Sequence, residues 1–301
     1  MTTDPTIPNI ISDAVGDSRV SRLIEEAILE DLGMGDITTD GIVPADLPGR
    51  GEIRVKEPGV VAGLAVVEMV FHFVDPEIVM KILHSDASFV EAGTVIGNVK
   101  GSFASLLKAE RTALNILQRM SGIATLTAKF VKAVKGTQAR ITDTRKTPPG
   151  LRILDKLAVR VGGGVNHRFG LDDMALIKDN HIAAAGGIGP AIERCLQYLQ
   201  QKKYIVRVEI ETKNLGEVQQ VLKFSGVDRI LLDNFSLDEM KRAVQMIDHK
   251  LEVEASGNVS LDNVRAIAET GVDIISIGAL THSPKALDIS MKITNLSKSH
   301  T

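Results

Sequence analysis

The chain has 301 residues, 44% hydrophobic and 24% charged, enough to bury one large core or a large and a small one. A formal net charge of −3 and 3% aromatic residues, with no Trp, argue against a nucleic-acid partner held by bulk charge or base stacking. The single cysteine, Cys195, cannot form an intrachain disulfide, no apolar run reaches membrane-spanning length, and the polar N-terminus lacks signal-peptide regions. A cytoplasmic protein with no membrane partner is therefore expected.

In chain order, residues 1–18 read as irregular. An acid-rich helix is predicted over Ser21–Asp31, with Leu23, Ile24, Ala27 and Ile28 at helical spacing and Gly33 as its stop. Gly51–Glu57 and Phe89–Val99 alternate like strands, with turns at Pro58–Gly59 and Ala92–Gly93 and a helix over Gly63–Phe73 between them. This is the pattern of a small α+β domain. A helix over Ser105–Met120 comes next. Strand-like runs then appear at Ala139–Asp143, Met174–Lys178, Tyr204–Ile210, Arg229–Asp233, Leu251–Ala255 and Asp273–Gly278. Helices are predicted between them, at Leu151–Val161, Gly189–Leu199, Leu215–Leu222, Leu237–Ile247 and Leu261–Glu269. Cys195 falls in the second of these, beside Ile192 and Leu196, as an inert, buried thiol. In the second half strand starts recur about every 20 to 25 residues, the length of one βα unit. The fold class expected is α/β: an incomplete parallel βα barrel of six to seven units with a smaller N-terminal α+β sandwich domain.

Reacting groups of a βα barrel sit at the C-terminal ends of its strands. Here those ends carry Asp143, Arg145 and Lys146; Lys178, Asp179, Asn180 and His181; Glu209 and Glu211; Asp233 and Asn234; Glu254, Ser256 and Gly257; and Gly278, Thr281 and His282. Lys178, directly after an apolar run, reads as a site residue rather than a solvated loop lysine. Glu209 and Glu211 alternate with Val208 and Ile210 and share a face, one as a working carboxylate and the other as a structural one. Position alone leaves Asp233 open between a helix cap and a site residue. His72, His84, His249 and His300 lie outside any cluster. Ser256–Gly257 and Gly278–Ala279 stand on neighbouring late units, where small residues let backbone N–H groups approach a phosphate.

The most distinctive stretch runs from Thr144 to Arg168. It gathers Arg145, Lys146, Arg152, His167 and Arg168 between glycines and prolines, a local set of cations suited to small, multiply charged anions. With Glu and Asp opposite, the arrangement suits a phosphorylated sugar held beside a polyanionic acceptor.

The motifs along the chain are Glu30–Thr38, Glu110–Asn115, TRKTPPGLR at 144–152, GGGVNHR at 162–168, LIKDNHI at 176–182, VEIET at 208–212, LLDNF at 231–235, EASGN at 254–258 and IGALTHS at 277–283. On them the chain resembles the quinolinate phosphoribosyltransferase (nicotinate-nucleotide pyrophosphorylase, carboxylating) family. They come in the family's order and cover about residues 20 to 290. Pro148 stands where many members carry Thr and Asn258 where many carry Gly, although Asn tolerates a left-handed backbone.

The resemblance implies transfer of phosphoribosyl from phosphoribosyl pyrophosphate to quinolinate, releasing pyrophosphate and carbon dioxide and leaving nicotinate mononucleotide for NAD biosynthesis. It implies domains at 1–114, with 283–301 packing back on them, and 115–282. It assigns the pyridine dicarboxylate to Arg145, His167, Arg168 and Lys178, with Arg111 reaching in from a partner subunit. Lys146, Glu211 and Asp233 become the catalytic residues, the two carboxylates holding ribose hydroxyls and Mg²⁺. Ser256, Gly257 and Gly278 would cradle the 5′-phosphate near His282. A homodimer with shared active sites is implied, and a hexamer of dimers is allowed. The rival readings are a relative acting on nicotinate, a non-catalytic phosphate-sugar sensor, and a basic nucleic-acid module. The full set of five cations favours the dicarboxylate, and the interleaved acids argue against nucleic acid.

Overall fold

The computed structural model describes residues 15–296, which form two compact units. The first holds the described residues up to Ala128, Thr147–Gly163 and those from Leu280 on; the second holds Lys129–Lys146 and Gly164–Ala279. Most of the irregular stretch expected over 1–18, and His300, lie outside the described residues. Among the described residues no helix is long and apolar enough to cross a membrane.

The first unit opens with α1 (Ser18–Leu32), whose Asp17 cap accepts the Arg19 N–H at 2.8 Å. Val20, Ile24 and Ile28 bury one face, and Gly33 ends the helix with φ 51°. A short α2 (Ile37–Ile42) is capped by Asp36. Next along the chain are β1 (Pro48–Val55), β2 (Gly59–Val60), α3 (Leu64–Val74), β3 (Val79–Ile82), β4 (Phe89–Val90) and β5 (Val95–Ser102). Gly63 gives α3 no side-chain cap. The Asp86 carboxylate supplies it from a distance, accepting the Gly63 and Leu64 N–H groups at 2.8 and 3.1 Å, and burial pushes it up to about 6. The long α4 (Phe103–Ala133) and α5 (Arg152–Val161) are joined within this unit by Arg119, which grips the buried Asp155 carboxylate at 2.7 and 2.8 Å. After α11 (Ala279–His282), β12 (Ile289–Asn295) returns to pair antiparallel with β1, completing a four-stranded sheet of order β12-β1-β5-β3.

The second unit alternates β6 (Arg140–Thr142), β7 (Ala175–Ile177), α6 (Asp179–Ala185), α7 (Ile188–Lys202), β8 (Val208–Thr212), α8 (Leu215–Val221), β9 (Arg229–Asp233), α9 (Leu237–Ile247), β10 (Glu252–Ser256), α10 (Val264–Ala268) and β11 (Ile274–Ser276). Its six strands are parallel, in the order β6-β11-β10-β9-β8-β7. The first strand therefore pairs with the last, as in a barrel, and the seam falls between the first and second strands. Val165 bridges to Thr142 at that seam. This is an α/β protein with an incomplete parallel barrel and a separate antiparallel sheet.

Several expected elements are displaced. The strand expected at Tyr204–Ile210 begins only at Val208, because Tyr204 and Ile205 are exposed loop residues despite their β-forming character. Phe89–Val99 divides into β4 and β5 at the Gly93 turn, φ 88°. The helix expected to stop at Met120 continues to Ala133, its apolar face carried on by Ile123, Ala124 and Phe130. Cys195 is half-buried rather than fully buried, and desolvation still pushes its thiol up.

Candidate active site

Parallel rungs place Thr142, Ser276, Ser256 and Asp233 level with one another across β6, β11, β10 and β9. Strand alternation puts Glu211, two residues after Glu209, on the same face of β8. Arg145 and Lys146 come after β6, Lys178 after β7, and Gly278 after β11. The second unit thus brings together Arg145, Lys146, His167, Arg168, Lys178, Glu211, Asp233, Ser256, Gly257 and Gly278. Arg111 and His282 belong to the first unit. There Arg111 is exposed beside Glu110, and His282 Nδ1 lies 2.6 Å from Ser283 Oγ. Arg152 also belongs to that unit, where it donates to Thr147 at 3.1 Å.

The cationic wall is built on Asp143. Its buried carboxylate accepts the Asn166 amide at 2.5 Å and the His167 N–H at 2.9 Å, fixing the segment that carries His167 and Arg168. Arg168 donates to the Met174 carbonyl at 3.0 Å. Burial and then the adjacent Arg145 charge hold its guanidinium below its usual range, against the pull of Glu209 and Asp173. Two guanidinium groups kept this close repel each other, and a carboxylate between them relieves that cost.

His167 sits beneath this wall. Its Nε2 lies 3.1 Å from Glu209 and 3.5 Å from Glu254, and Arg229 lies 2.9 Å from Glu254. Burial opposes a charged imidazole, but the two carboxylates outweigh it and raise His167 to about 9. Glu209 is itself raised by burial and by Glu254, whereas Glu254 is lowered by His167 and Arg229 against its burial. The cluster thus shares one extra proton. The Arg168 backbone N–H points at His167 Nδ1 at 2.8 Å. The ligand atoms of His167, Glu209 and Glu254 lie within 4.8 Å of one another. Arg229 and the shared proton together balance the two carboxylates, so the trio reads as a paired core layer rather than a metal centre. His167, which the resemblance assigns to the dicarboxylate, is thus turned toward Glu209 and Glu254 with its side chain 6% exposed.

Nearer the surface the balance reverses. Glu211 is raised by burial and then by the like charge of Asp233, with Lys178 pulling it down. Two carboxylates on adjacent strand ends form a hard-oxygen pair suited to a divalent cation. Beside them Gly257 adopts φ 103°, a conformation that favours glycine, between Ser256 and Asn258. Asn258, in the place many family members give to Gly, is left-handed at φ 51°.

The sequence reading did not find the Glu209–Glu254–Arg229 layer. Its only signal was charge inside strands that are otherwise apolar, as in Val208–Thr212 and Arg229–Asp233.

The comparisons with known proteins agree with this geometry. Residues 36–121 match the model of the quinolinate phosphoribosyl transferase N-terminal domain, and residues 123–292 that of the C-terminal domain. The chain is 45% identical over 286 residues to a tobacco quinolinate phosphoribosyltransferase [decarboxylating], 2a, mitochondrial, covering 90% of this chain and 81% of the relative. It is 45% identical over 276 residues to a probable nicotinate-nucleotide pyrophosphorylase [carboxylating] of Synechocystis, covering 90% and 91% of the two chains. The solved nicotinate-nucleotide pyrophosphorylase of Francisella tularensis superposes with a TM-score of 0.85 at 40% identity, covering 92% of this chain and 96% of that one. Domain matches in order along most of the chain, and relatives of this identity and coverage, place it: the chain belongs to the quinolinate phosphoribosyltransferase family.

Proposed function

We infer that this protein is an enzyme that transfers phosphoribosyl from phosphoribosyl pyrophosphate to quinolinate with decarboxylation, yielding nicotinate mononucleotide, pyrophosphate and carbon dioxide. The observation that carries this reading is the pairing of Arg145 with Arg168 on the strand-end face that also holds Lys178, Glu211 and Asp233. A dicarboxylate satisfies the two guanidiniums, and a sugar next to it meets two carboxylates.

Arg145, Arg168 and Lys178 bind and orient quinolinate, with His167, assigned to the same dicarboxylate by the resemblance, in the segment that carries Arg168. Lys146, exposed after β6, meets the pyrophosphate. Glu211 and Asp233 hold the ribose hydroxyls and offset the positive charge that grows on the sugar as the bond to pyrophosphate breaks. The ring nitrogen forms the new bond to the ribose carbon and becomes positively charged. That positive charge stabilises the electron pair left on the adjacent ring carbon when carbon dioxide departs, and the same carbon then takes up a proton. Orientation of two anions side by side is the main demand, met by fixed cations. Glu211 and Asp233 would hold Mg²⁺, which when bound neutralises pyrophosphate charge. Ser256, Gly257 and Gly278 cradle the 5′-phosphate.

The active enzyme is a homodimer in which Arg111 of the partner subunit completes each site, and dimers can assemble further into a hexamer of dimers. Exposed Met34, Ile37 and Ile42 on the first unit support a surface covered by a second copy. Mixing Arg111→Ala with Lys146→Ala protein tests this, since a shared site restores activity only in mixed dimers. A cytoplasmic location rests on the single cysteine; the tobacco relative's name places that protein in mitochondria.

The deciding assay is carbon dioxide release from quinolinate with phosphoribosyl pyrophosphate and Mg²⁺ supplied or withheld. Release only with phosphoribosyl pyrophosphate supports the reading, whereas turnover of nicotinate but not quinolinate overturns the choice of acceptor.

A further inference from the structure

We propose that Asn234 is a positioning residue that ties the carboxylate of Asp233, at the end of β9, to the loop Ser256–Asn258 at the end of β10. Asp233 and Ser256 are level neighbours on adjacent strands, but side-by-side strands alone do not fix the turns beyond their ends. Asn234 does so with its backbone N–H and both ends of its side-chain amide. Its N–H donates to the Ser256 carbonyl at 2.9 Å, its Nδ2 to Asp233 Oδ1 at 3.1 Å, and its Oδ1 accepts from Asn258 Nδ2 at 3.0 Å. The amide orientation is set by chemistry: turned over, Asn234 would set its oxygen against the Asp233 carboxylate.

The backbone supports the same arrangement. Asn234 is left-handed at φ 58°, which breaks the strand and turns its side chain toward β10. Asn258, also left-handed, is held from its far side by Asn263 Nδ2, which donates to its carbonyl at 2.9 Å. Between them, a Cβ on Gly257 would stand 2.2 Å from Asn234 Oδ1. Glycine is therefore required there by the Asn234 amide as well as by its own φ. The consequence is that the group holding the ribose hydroxyls and the loop seating the 5′-phosphate move as one body.

This inference rests on the phosphoribosyl pyrophosphate reading, and the experiment separates the two. Steady-state kinetics of the full chain are measured for both substrates with Asn258→Gly, Asn234→Ala and Asn234→Asp. Asn258→Gly keeps a residue at ease with left-handed backbone and the Asn234–Asp233 bond. It should raise KM for phosphoribosyl pyrophosphate about tenfold, with kcat and the quinolinate KM near wild type. Asn234→Ala should raise the same KM and also lower kcat, because Asp233 loses its donor. Asn234→Asp keeps the acceptor for Asn258 but sets a second anion beside Asp233, so its main loss should be in kcat. In side-chain amide NMR spectra, the Asn258 Nδ2 signals should shift in Asn234→Ala. Variants indistinguishable from wild type, equal losses for both substrates, or unmoved Asn258 signals would overturn the clamp while leaving the functional reading in place. A wild-type protein that neither turned over phosphoribosyl pyrophosphate nor gained thermal stability from it would overturn the functional reading and the clamp's role with it.

Discussion

The barrel strands carry two sets of polar groups that differ mainly in depth. β8 gives Glu209 to the deeper set and Glu211 to the outer one; β9 gives Arg229 and Asp233, and β10 gives Glu254 and Ser256. The deeper carboxylates are fully buried and answered by His167 and Arg229. The outer ones are half-buried, and the Asp233 charge makes that of Glu211 harder to carry. The difference shows that a glutamate at the same strand periodicity is structural when its partner is protein, and available for chemistry when its partner has to come from outside.

The harshest way to break this comparison is to remove the deeper set's cation. Arg229→Met should cost about 3–5 kcal/mol, because it strands buried carboxylates. Urea unfolding measures this, and a loss below about 1 kcal/mol would mean the layer is not internally paired. The outer set should behave oppositely. Glu211→Gln and Asp233→Asn should each lower kcat by about 10²–10³-fold while changing stability by no more than about 0.5 kcal/mol. Arg145→Ala should raise the quinolinate KM by about tenfold or more and leave that of phosphoribosyl pyrophosphate nearly unchanged, since it removes one charged fork from the acceptor. Equal losses for both would unseat that assignment.

The pH dependence sharpens the contrast. His167 is raised from its ordinary 6.5 to about 9, so the folded cluster keeps a proton that the unfolded chain has released. The stabilisation is complete below about pH 6.5 and is lost as pH rises through about 9, with a limiting slope near 1.4 kcal/mol per pH unit. Unfolding free energies across that range test the sign. The smallest expected effect separates the two deeper carboxylates. Glu209→Gln should cost less than Glu254→Gln, because burial and Glu254 already push Glu209 toward its neutral form while His167 and Arg229 hold Glu254 charged.

Much of this was legible in the sequence, for reasons that individual elements show. β9 and α9 have the bounds expected, since Arg229–Asp233 is a short apolar run and Leu237–Ile247 opens with the reciprocal Ser236–Glu239 cap. The Gly33 stop is read directly from its φ. By contrast, α6 gave no signal because none of its residues is buried, so it has no apolar stripe to detect. β3 was missed for a related reason, with only Met80 buried. β12 pairs with a strand far away in the chain, which no local pattern announces. At the candidate site, residue types and order along the chain were readable, but depth was not. Val208–Glu209–Ile210–Glu211 gives both glutamates the same face and says nothing about which one meets His167. The left-handed turn at Asn234 was equally hidden, because Asn adopts it without declaring it.

The seam of the barrel has a consequence for solubility. An open parallel sheet offers edge strands whose bare backbone groups can recruit another chain. Here β6 is shielded by Val165, whose N–H donates to the Ile141 carbonyl at 2.8 Å while the Thr142 hydroxyl takes its carbonyl at 3.1 Å. The opposite edge, β7, is only three residues long, too short to template an extended ladder. Two residues after Val165 the same segment supplies His167 and then Arg168. One stretch of chain therefore guards the sheet against mispairing and carries a residue proposed to bind the acceptor, so variants that loosen it should aggregate as well as lose affinity.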